Sequence, residues 1–166
     1  NSFIINGPGV LRGSITLPGD KSISHRAVIL GAIAQGRTTI EGMLESEDVL
    51  STVNALRNMG VKIVHHKEDG MVVEGVGLYG LKDPGQALNM GNSGTAMRLM
   101  AGVLVGQSFP STLVGDDSLS QRPMARVVEP LRALGADISV QNAGYPPIQI
   151  KPVKQLRGAD YVMPVG

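Results

Sequence analysis

A polar loop ahead of an aliphatic run carries the residue types that bind anions. Lys21 and Ser22 stand where the run 27–34 would begin as a helix. A helix N-terminus presents unpaired N–H groups and the positive end of the helix dipole, so it attracts anions. Arg26 lies four residues after Ser22, on the same helix face one turn further on. These side chains predict a site for a phosphate or carboxylate, with lysine as a point charge and arginine as a planar fork.

The same loop also fits a helix that is merely capped, with its charges solvated. The residues alone are compatible with both interpretations. A P-loop is excluded, because the spacing of the glycines ahead of Lys21 does not match that motif. The anion site and the plain helix cap therefore stand as alternatives.

A second loop, 91–95 (Gly-Asn-Ser-Gly-Thr), opens another aliphatic helix, which we expect over 94–105. Its tip is uncharged, but Gly94 would let a ligand approach the backbone closely. Arg98 stands in this helix where Arg26 stands in the first one. The alternative is an ordinary N-cap whose arginine packs against a neighbouring element.

A third polar loop, 115–119 (Gly-Asp-Asp-Ser-Leu), is followed by Arg122 and Pro123. Pro123 suits the first position of a helix, which would place Arg122 at a third helix start. Asp116 and Asp117 are expected to be turn and cap residues. By composition alone Arg122 fits a surface arginine as well as a ligand-binding one.

The elements that would position these loops occur twice. The segment 55–63 resembles 130–138 at an offset of 75, and apolar residues at spacings of four, three and three precede each glycine, Gly60 and Gly135. This spacing predicts one buried face of a helix that ends in a left-handed glycine. Pro130 lies inside the second of these helices, so a kink or a short, tightly packed helix is expected there.

The loops repeat at an offset of 72, which aligns 19–26 with 91–98. Each unit therefore reads strand, loop, helix, loop, helix, strand, strand. The first helix of unit one is expected over 22–34. The strands are expected at 14–17, 61–64 and 71–76 in the first unit and at 86–89, 136–140 and 147–150 in the second.

Composition narrows the classes of function. The 166 residues are 42% hydrophobic and 3% aromatic, with a net charge of +1. That balance disfavours nucleic-acid binding, which requires a basic face or stacking aromatic side chains. No stretch approaches the ~20 apolar residues of a membrane span. The chain has no cysteine, and its histidines do not form a metal set: His25 is expected to pack, and His65 and His66 to be solvated.

Together these motifs resemble the 5-enolpyruvylshikimate-3-phosphate synthase (3-phosphoshikimate 1-carboxyvinyltransferase) family, and the resemblance runs along essentially the whole chain. The related transferase that acts on UDP-N-acetylglucosamine is the alternative, but it usually has Asn where this chain has Ser22 and commonly uses a cysteine as acid. A non-catalytic module that binds a phosphorylated small molecule, and a structural repeat whose loops are only caps, are further alternatives. The motifs that carry the resemblance are 17–26 (Leu-Pro-Gly-Asp-Lys-Ser-Ile-Ser-His-Arg), 91–98 (Gly-Asn-Ser-Gly-Thr-Ala-Met-Arg), 115–119, 122–124 (Arg-Pro-Met) and 130–135 (Pro-Leu-Arg-Ala-Leu-Gly).

The resemblance implies an α/β (α+β) fold with two lobes, each built from three βαβαββ units. This chain would hold two of the three units of the first lobe. Phe3–Ile5 would pair with the second lobe, which is expected to lie outside this chain together with the loop that holds the shikimate phosphate. The expected divisions are an N-terminal strand region (1–18), a first unit (19–80), a second unit (81–162) and the start of a third (163–166).

The resemblance also implies a cytoplasmic transferase of the shikimate pathway, in aromatic amino-acid biosynthesis. It would move an enolpyruvyl group from phosphoenolpyruvate to the 5-hydroxyl of shikimate 3-phosphate, with no metal or organic cofactor and with the rest of the enzyme as partner. Carried over by motif, the catalytic Lys21 would contact phosphoenolpyruvate, while Ser22 and Arg26 would bind shikimate 3-phosphate. Asn92, Gly94 and Arg122 would line the phosphoenolpyruvate pocket.

Overall fold

The computed structural model of the protein describes residues 2–4, 7, 9–10, 12–66, 70–141 and 144–163. Within these ranges the elements alternate between helix and sheet. In chain order they are α1 (Lys21–Ile33), β1 (Gln35–Ile40), α2 (Glu47–Asn58), β2 (Lys62–His66), β3 (Gly70–Val76), β4 (Leu88–Asn89), α3 (Gly94–Leu104), β5 (Ser111–Val114), a 3₁₀ turn (Leu119–Gln121), α4 (Ala125–Ala133), β6 (Asp137–Gln141) and β7 (Tyr145–Lys151).

The strands form two sheets, one from each unit. The first has the order β1-β3-β2 and is antiparallel. The second has the order β4-β5-β7-β6, in which β4 runs parallel to β5 and the other pairs are antiparallel. The second unit therefore has the complete βαβαββ order that the resemblance implies. A single hydrophobic cluster joins residues of both units.

The repeat at offset 75 is confirmed in the hydrogen bonds as well as in the sequence. Gly60 and Gly135 have φ angles of 88° and 86°, the left-handed conformation that glycine adopts without strain. After each helix, the glycine N–H and the next N–H return to carbonyls of the last turn, which is a Schellman ending. Arg57 donates to the carbonyl of Ile63, and Arg132, 75 residues on, donates to that of Ile138.

The helix starts align at an offset of 73, so the expected offset of 72 is wrong by one residue. Asp20 caps α1 by accepting from the N–H of Ile23 at 2.8 Å, and Ser93 caps α3 by accepting from that of Ala96 at 3.1 Å. Lys21 is therefore the counterpart of Gly94. Arg98 does not occupy the position that Arg26 holds. The sequence comparison aligned glycines, whereas the folded units align their capping side chains.

The predicted strand at 14–17 is not formed. Described residues 12–20 lie outside any helix or strand, and the backbone of 14–17 joins no sheet. Its counterpart in the second unit, β4, exists because β5 offers it a parallel neighbour. Phe3 and Ile4 are exposed, while Ile5 and residues 164–166 of the expected third-unit start lie outside the described residues.

Two strands were not predicted from the residues, β1 and β5. Each connects the two helices of its unit. The β1 sequence, Gln-Gly-Arg-Thr-Thr-Ile, is polar and mostly exposed, so it lacks the apolar alternation typical of a half-buried strand. It becomes a strand because β3 provides a full hydrogen-bonded ladder beside it. The other predicted strands lie within one or two residues of the observed ones.

The prediction that Pro123 begins a helix is wrong. Residues 119–121 form a 3₁₀ turn, and α4 begins at Ala125 with Met124 as its N-cap residue. Arg122 therefore lies in an extended link between two helical segments, with φ −95° and ψ 129°. Pro130 lies inside α4, which is short, at nine residues.

The core is aliphatic, with methionines filling the space that aromatic residues would occupy. Val28, Ile29 and Ala32 of α1 are buried against it, yet Ile23 and Leu30 on the outer face of the same helix are 68% and 61% exposed. Apolar residues on both sides of a helix are ordinarily typical of a helix that is buried on every side, so the outer face of α1 is an exposed apolar surface. The fully buried methionines are Met59, Met90, Met97, Met100 and Met124.

The start of α1 is clamped against the loop that leads into α2. A Cβ at Gly19 would lie 2.2 Å from the carbonyl oxygen of Gly42 and 2.9 Å from the amide nitrogen of Leu44. The hydroxyl of Ser24 accepts from that Leu44 N–H at 3.0 Å and donates to the carbonyl of Asp20 at 2.7 Å. The position of Lys21 therefore depends on close backbone packing.

We expect Gly19→Ala to lower the free energy of unfolding by about 1–3 kcal/mol, because backbone atoms must move to admit the methyl group. Gly102→Ala is the matched control, since nothing lies within 4 Å of its Cβ position in α3. The control should raise the free energy of unfolding by about 0.5–1 kcal/mol. Urea denaturation measures both. Equal effects of the two substitutions would contradict the clamp.

Candidate functional site

Lys21 is the first residue of α1, and its side chain extends across to α2. The Lys21 Nζ lies 2.8 Å from Oδ2 of Asp48, in the first turn of that helix. Both side chains are partly exposed, so the ion pair is open to solvent and to a ligand. An exposed pair of this kind contributes little to stability and is easily exchanged for a stronger anion.

Ser22 and Arg26 lie together on α1, as the helical spacing predicts. The Arg26 Nη1 donates to the backbone carbonyl of Ser22 at 3.0 Å. The side chain of Arg26 is exposed, with donors left for an incoming anion. The sequence predicts that Lys21, Ser22 and Arg26 meet at one point. In the structure only Ser22 and Arg26 contact each other, while the Lys21 ammonium lies against Asp48.

Gly94 is the first residue of α3, and two guanidinium groups pass close to it. A Cβ at this position would lie 2.7 Å from Nη1 of Arg98 and 3.6 Å from Nη1 of Arg122. A side chain at this position would therefore crowd both guanidinium groups. The sequence predicted glycine here for a different reason, namely that a ligand could approach the backbone closely. The helix N-terminus adds its own positive potential at the same place.

Asn92 connects the second loop to the third. Its side-chain oxygen accepts a hydrogen bond from Nη2 of Arg122, and its Nδ2 donates to Oδ2 of Asp116 at 2.8 Å. Arg122 also donates to Oγ of Ser118 at 3.3 Å. The guanidinium is thus oriented by two neutral groups, and the carboxylate of Asp116 lies on the far side of Asn92. The structure brings Asn92, Gly94 and Arg122 together, as the sequence predicts.

Asp116 ties the two loops into one unit. Its Oδ1 accepts from the N–H of Leu119 at 2.7 Å, and its own N–H donates to the carbonyl of Gly91 at 3.0 Å. The Leu119 N–H first, and then the Asn92 amide, lower the pKa of this carboxyl. The prediction that Asp116 is a turn and cap residue is confirmed, and the carboxylate also positions Asn92.

Arg98 adds a second positive side chain, beside Arg122, at the start of α3. Its Nη2 donates to the carbonyl of Pro123 at 3.0 Å. Burial lowers its pKa from the ordinary value, and the neighbouring Arg122 and Arg126 lower it further. A guanidinium nevertheless stays charged at neutral pH. Clustered like charges of this kind favour a bound anion, which relieves their repulsion.

Helix α2 lies beside the first loop and the second. Asp48 holds Lys21, and Ser51, one turn later, has its Oγ 3.0 Å from the point where a Cβ at Gly91 would lie. The Gly91 carbonyl accepts from the N–H of Asp116, whose carboxylate in turn accepts from Asn92. Hydrogen bonds therefore join the second loop to the third, and α2 lies next to the first two.

The three histidines differ in burial. His25 is fully buried, as expected for a packing role, while His65 and His66 are exposed and lie within β2 rather than after it. The His65 Nδ1 lies 3.5 Å from Glu45. Among the described residues no group of three or more His, Cys, Asp and Glu side chains is placed to hold a metal ion. Nor does any helix in the described part of the chain have the length and apolarity to cross a bilayer.

A family model described as EPSP synthase (3-phosphoshikimate 1-carboxyvinyltransferase) matches residues 5–166. The chain belongs to the EPSP synthase family. It is 53% identical over 158 residues to the 3-phosphoshikimate 1-carboxyvinyltransferase of Streptococcus pyogenes serotype M2, a match that covers 95% of this chain and 36% of that protein. The corresponding protein of serotype M49 is also 53% identical and is covered to 37%.

A solved structure of the EPSP synthase from Acinetobacter baumannii has the same fold. Its TM-score is 0.85 at 51% identity, over 90% of this chain and 34% of that one. The chain thus spans about a third of the length of the family members it matches. The partial enolpyruvyl transferase fold implied by the motifs is confirmed, and the two units described here correspond to part of a larger EPSP synthase.

Sequence reasoning missed the residues of α2 that lie beside the first and second loops. Asp48 and Ser51 lie on α2, which the repeat identified only as a helix with a buried face. An acidic pair in a first helical turn, Glu47-Asp48, is ordinarily explained by the helix dipole. Lys21 and Asp48 are 27 residues apart in the sequence. Nothing in that separation predicts that they form an ion pair, because the pairing depends on how α1 packs on α2.

Proposed function

We propose that this chain supplies the cationic half of an active site in a cytoplasmic enzyme. The reaction transfers an enolpyruvyl group from phosphoenolpyruvate to the 5-hydroxyl of shikimate 3-phosphate and releases phosphate. The observation that carries the proposal is that cationic side chains stand at the starts of two capped helices. Lys21 begins α1 and pairs with Asp48 of α2, while the guanidinium groups of Arg98 and Arg122 lie beside Gly94 at the start of α3. Family membership supports the choice of reaction.

The charges suit the substrates. Phosphoenolpyruvate carries a phosphate and a carboxylate, and shikimate 3-phosphate carries the same two groups. Arginine binds each of these groups as a two-pronged donor, while lysine contributes a compact charge. In the proposal Lys21 contacts phosphoenolpyruvate, with Asn92, Gly94 and Arg122 lining its pocket. Ser22 and Arg26 bind shikimate 3-phosphate.

The contribution to rate is electrostatic. The acceptor hydroxyl loses its proton and adds to the substituted alkene carbon while the methylene carbon gains a proton, which gives a tetrahedral ketal. The new methyl group then loses a proton as the bond to phosphate breaks, and the alkene is restored. Charge shifts onto phosphate oxygens in the second step, so fixed cations lower the barrier. Arg122 is already oriented by Asn92 and Ser118, and no reorganisation is needed when the charge develops.

The proton transfers require groups beyond the two loops. Asp48 is paired with Lys21, and Asp116 accepts from Leu119 and Asn92. The lowered pKa of Asp116 stabilises its ionised form and makes it a poor general acid, while Asp48 is occupied by the Lys21 ammonium. In the proposal the acid and base come from the remainder of the enzyme, which is the partner of this chain.

We expect Lys21→Ala, made in the complete enzyme, to lower kcat/KM for phosphoenolpyruvate. A lost charge-assisted contact is worth about 1.5–3 kcal/mol, or roughly 10- to 150-fold. Lys62→Ala on β2 is the matched control, because it removes an exposed lysine away from the three loops. Steady-state kinetics with both substrates measure the change. Kinetics equal to those of the control would refute the role of Lys21.

We expect the complete enzyme to be sensitive to glyphosate, which resembles phosphoenolpyruvate in charge, and Gly94→Ala to make it more tolerant. The added methyl group would press on Arg98 and point toward Arg122, so it narrows the pocket. The substitution should raise the inhibition constant for glyphosate more than the KM for phosphoenolpyruvate. Gly102→Ala on the same helix should change neither. A wild-type enzyme that already resists millimolar glyphosate would contradict this interpretation of Gly94.

We expect the 166 residues by themselves to release no phosphate from the two substrates, because the proton-transfer groups are missing. We also expect them to self-associate, since Ile23 and Leu30 leave an apolar face of α1 exposed. Phosphate release and light scattering test the two points. Turnover comparable to that of an intact family member would refute the first. Binding of shikimate 3-phosphate without turnover, even after the remainder is added back, would instead favour a non-catalytic binding module.

A further inference from the structure

Two polar contacts cross between α1 and α2 in the same register. Lys21 pairs with Asp48, and the Nδ1 of His25 lies 2.8 Å from Oγ1 of Thr52. Each contact joins residues 27 positions apart, and the second lies one helical turn after the first on both helices. The first contact is exposed and belongs to the proposed site, whereas the second is buried directly behind it.

The histidine is neutral in this position. Both His25 and Thr52 are 0% exposed. Burial lowers the pKa of His25; Lys21 and Arg26 on its own helix lower it further, and Asp48 on α2 opposes them. Its Nε2 has no hydrogen-bond partner among the described residues.

An apolar side chain would fill this space without burying a nitrogen that lacks a hydrogen-bond partner. A buried nitrogen with no partner is unfavourable, so packing alone does not explain an imidazole here. A hydrogen bond, unlike an apolar contact, fixes both distance and direction. The His25–Thr52 bond therefore specifies how far α1 lies along α2, and the two cations Lys21 and Arg26 flank it on α1.

We propose that His25, through its hydrogen bond to Thr52, is a positioning residue that sets the register of α1 on α2 and so holds Lys21 and Arg26 where the substrates require them. This inference rests on the proposed function of those two cations. His25 touches neither substrate in the proposal. It acts through the helix that it anchors.

The test uses two matched pairs of substitutions in the complete enzyme. Thr52→Val deletes the hydroxyl at nearly constant volume, and Thr52→Ser retains it. His25→Leu removes the ring nitrogens, whereas His25→Asn keeps a polar atom near the position of Nδ1. Ser111→Ala is the control, because it removes from β5 a buried hydroxyl that has no hydrogen-bond partner in the described part of the chain.

We expect Thr52→Val and His25→Leu each to raise the KM for both substrates about fivefold, with a smaller change in kcat. Thr52→Ser and His25→Asn should stay within about twofold of the wild type, as should the control. The double variant Thr52→Val/His25→Leu should be no worse than either single variant, because both remove the same bond. Additive losses, or polar variants as impaired as the apolar ones, would overturn the proposal.

A second measurement does not depend on activity. Because folded His25 has a pKa below that of the unfolded chain, the unfolded state binds the extra proton first as the pH falls below about 6.5. The free energy of unfolding should therefore fall with decreasing pH there, and His25→Asn should flatten that slope. An unchanged slope would contradict a neutral, buried imidazole.

The kinetic results distinguish the two proposals. If Lys21→Ala has normal kinetics, the proposed function fails. If Lys21→Ala is impaired but all His25 and Thr52 variants match the wild type, this inference alone fails.

Discussion

The packing of α1 on α2 is the constraint on which the rest of the site depends. The first loop is held to α2 through Lys21 and Asp48, and Ser51 of the same helix lies beside Gly91 of the second loop. The third loop is bonded to the second through the Asp116 N–H and the Gly91 carbonyl. Helix α2 is itself fixed in the core, because its Val49, Val53 and Leu56 are fully buried.

Several cations lie close together in this arrangement. Lys21 has a carboxylate partner in Asp48, while Arg98 donates to the carbonyl of Pro123. Arg122 donates to the neutral side chain of Asn92, and the Asp116 carboxylate behind Asn92 interacts with it electrostatically. Neutral acceptors therefore orient both guanidinium groups directly, in contrast to the ion pair that holds Lys21.

The features of the fold and the site that could be predicted from the sequence are those that a local pattern of residues determines. The left-handed glycines Gly60 and Gly135 and the buried helix faces follow from local rules, and they were predicted. The strand β1 was not, because its polar residues become a strand only through pairing with β3. The segment 14–17 shows the converse, since its alternation suggests a strand but no partner lies beside it in the described residues. Within the site, the residue types of the three loops were predictable, but the connecting role of Asp48 depended on helix packing.

The corrected alignment of the two units shows how one geometry serves two purposes. Lys21 and Gly94 are equivalent, each the first residue after a capping side chain, Asp20 or Ser93. In the first unit this position carries its own ammonium group. In the second it carries no side chain, and the positive charge comes instead from Arg98 and Arg122, which approach the empty space from other parts of the unit. A lysine at 94 would crowd the two guanidinium groups, and a glycine at 21 would remove the ammonium that pairs with Asp48. The repeat therefore keeps the same capped helix start in both units, while the two units place positive charge beside it by different routes.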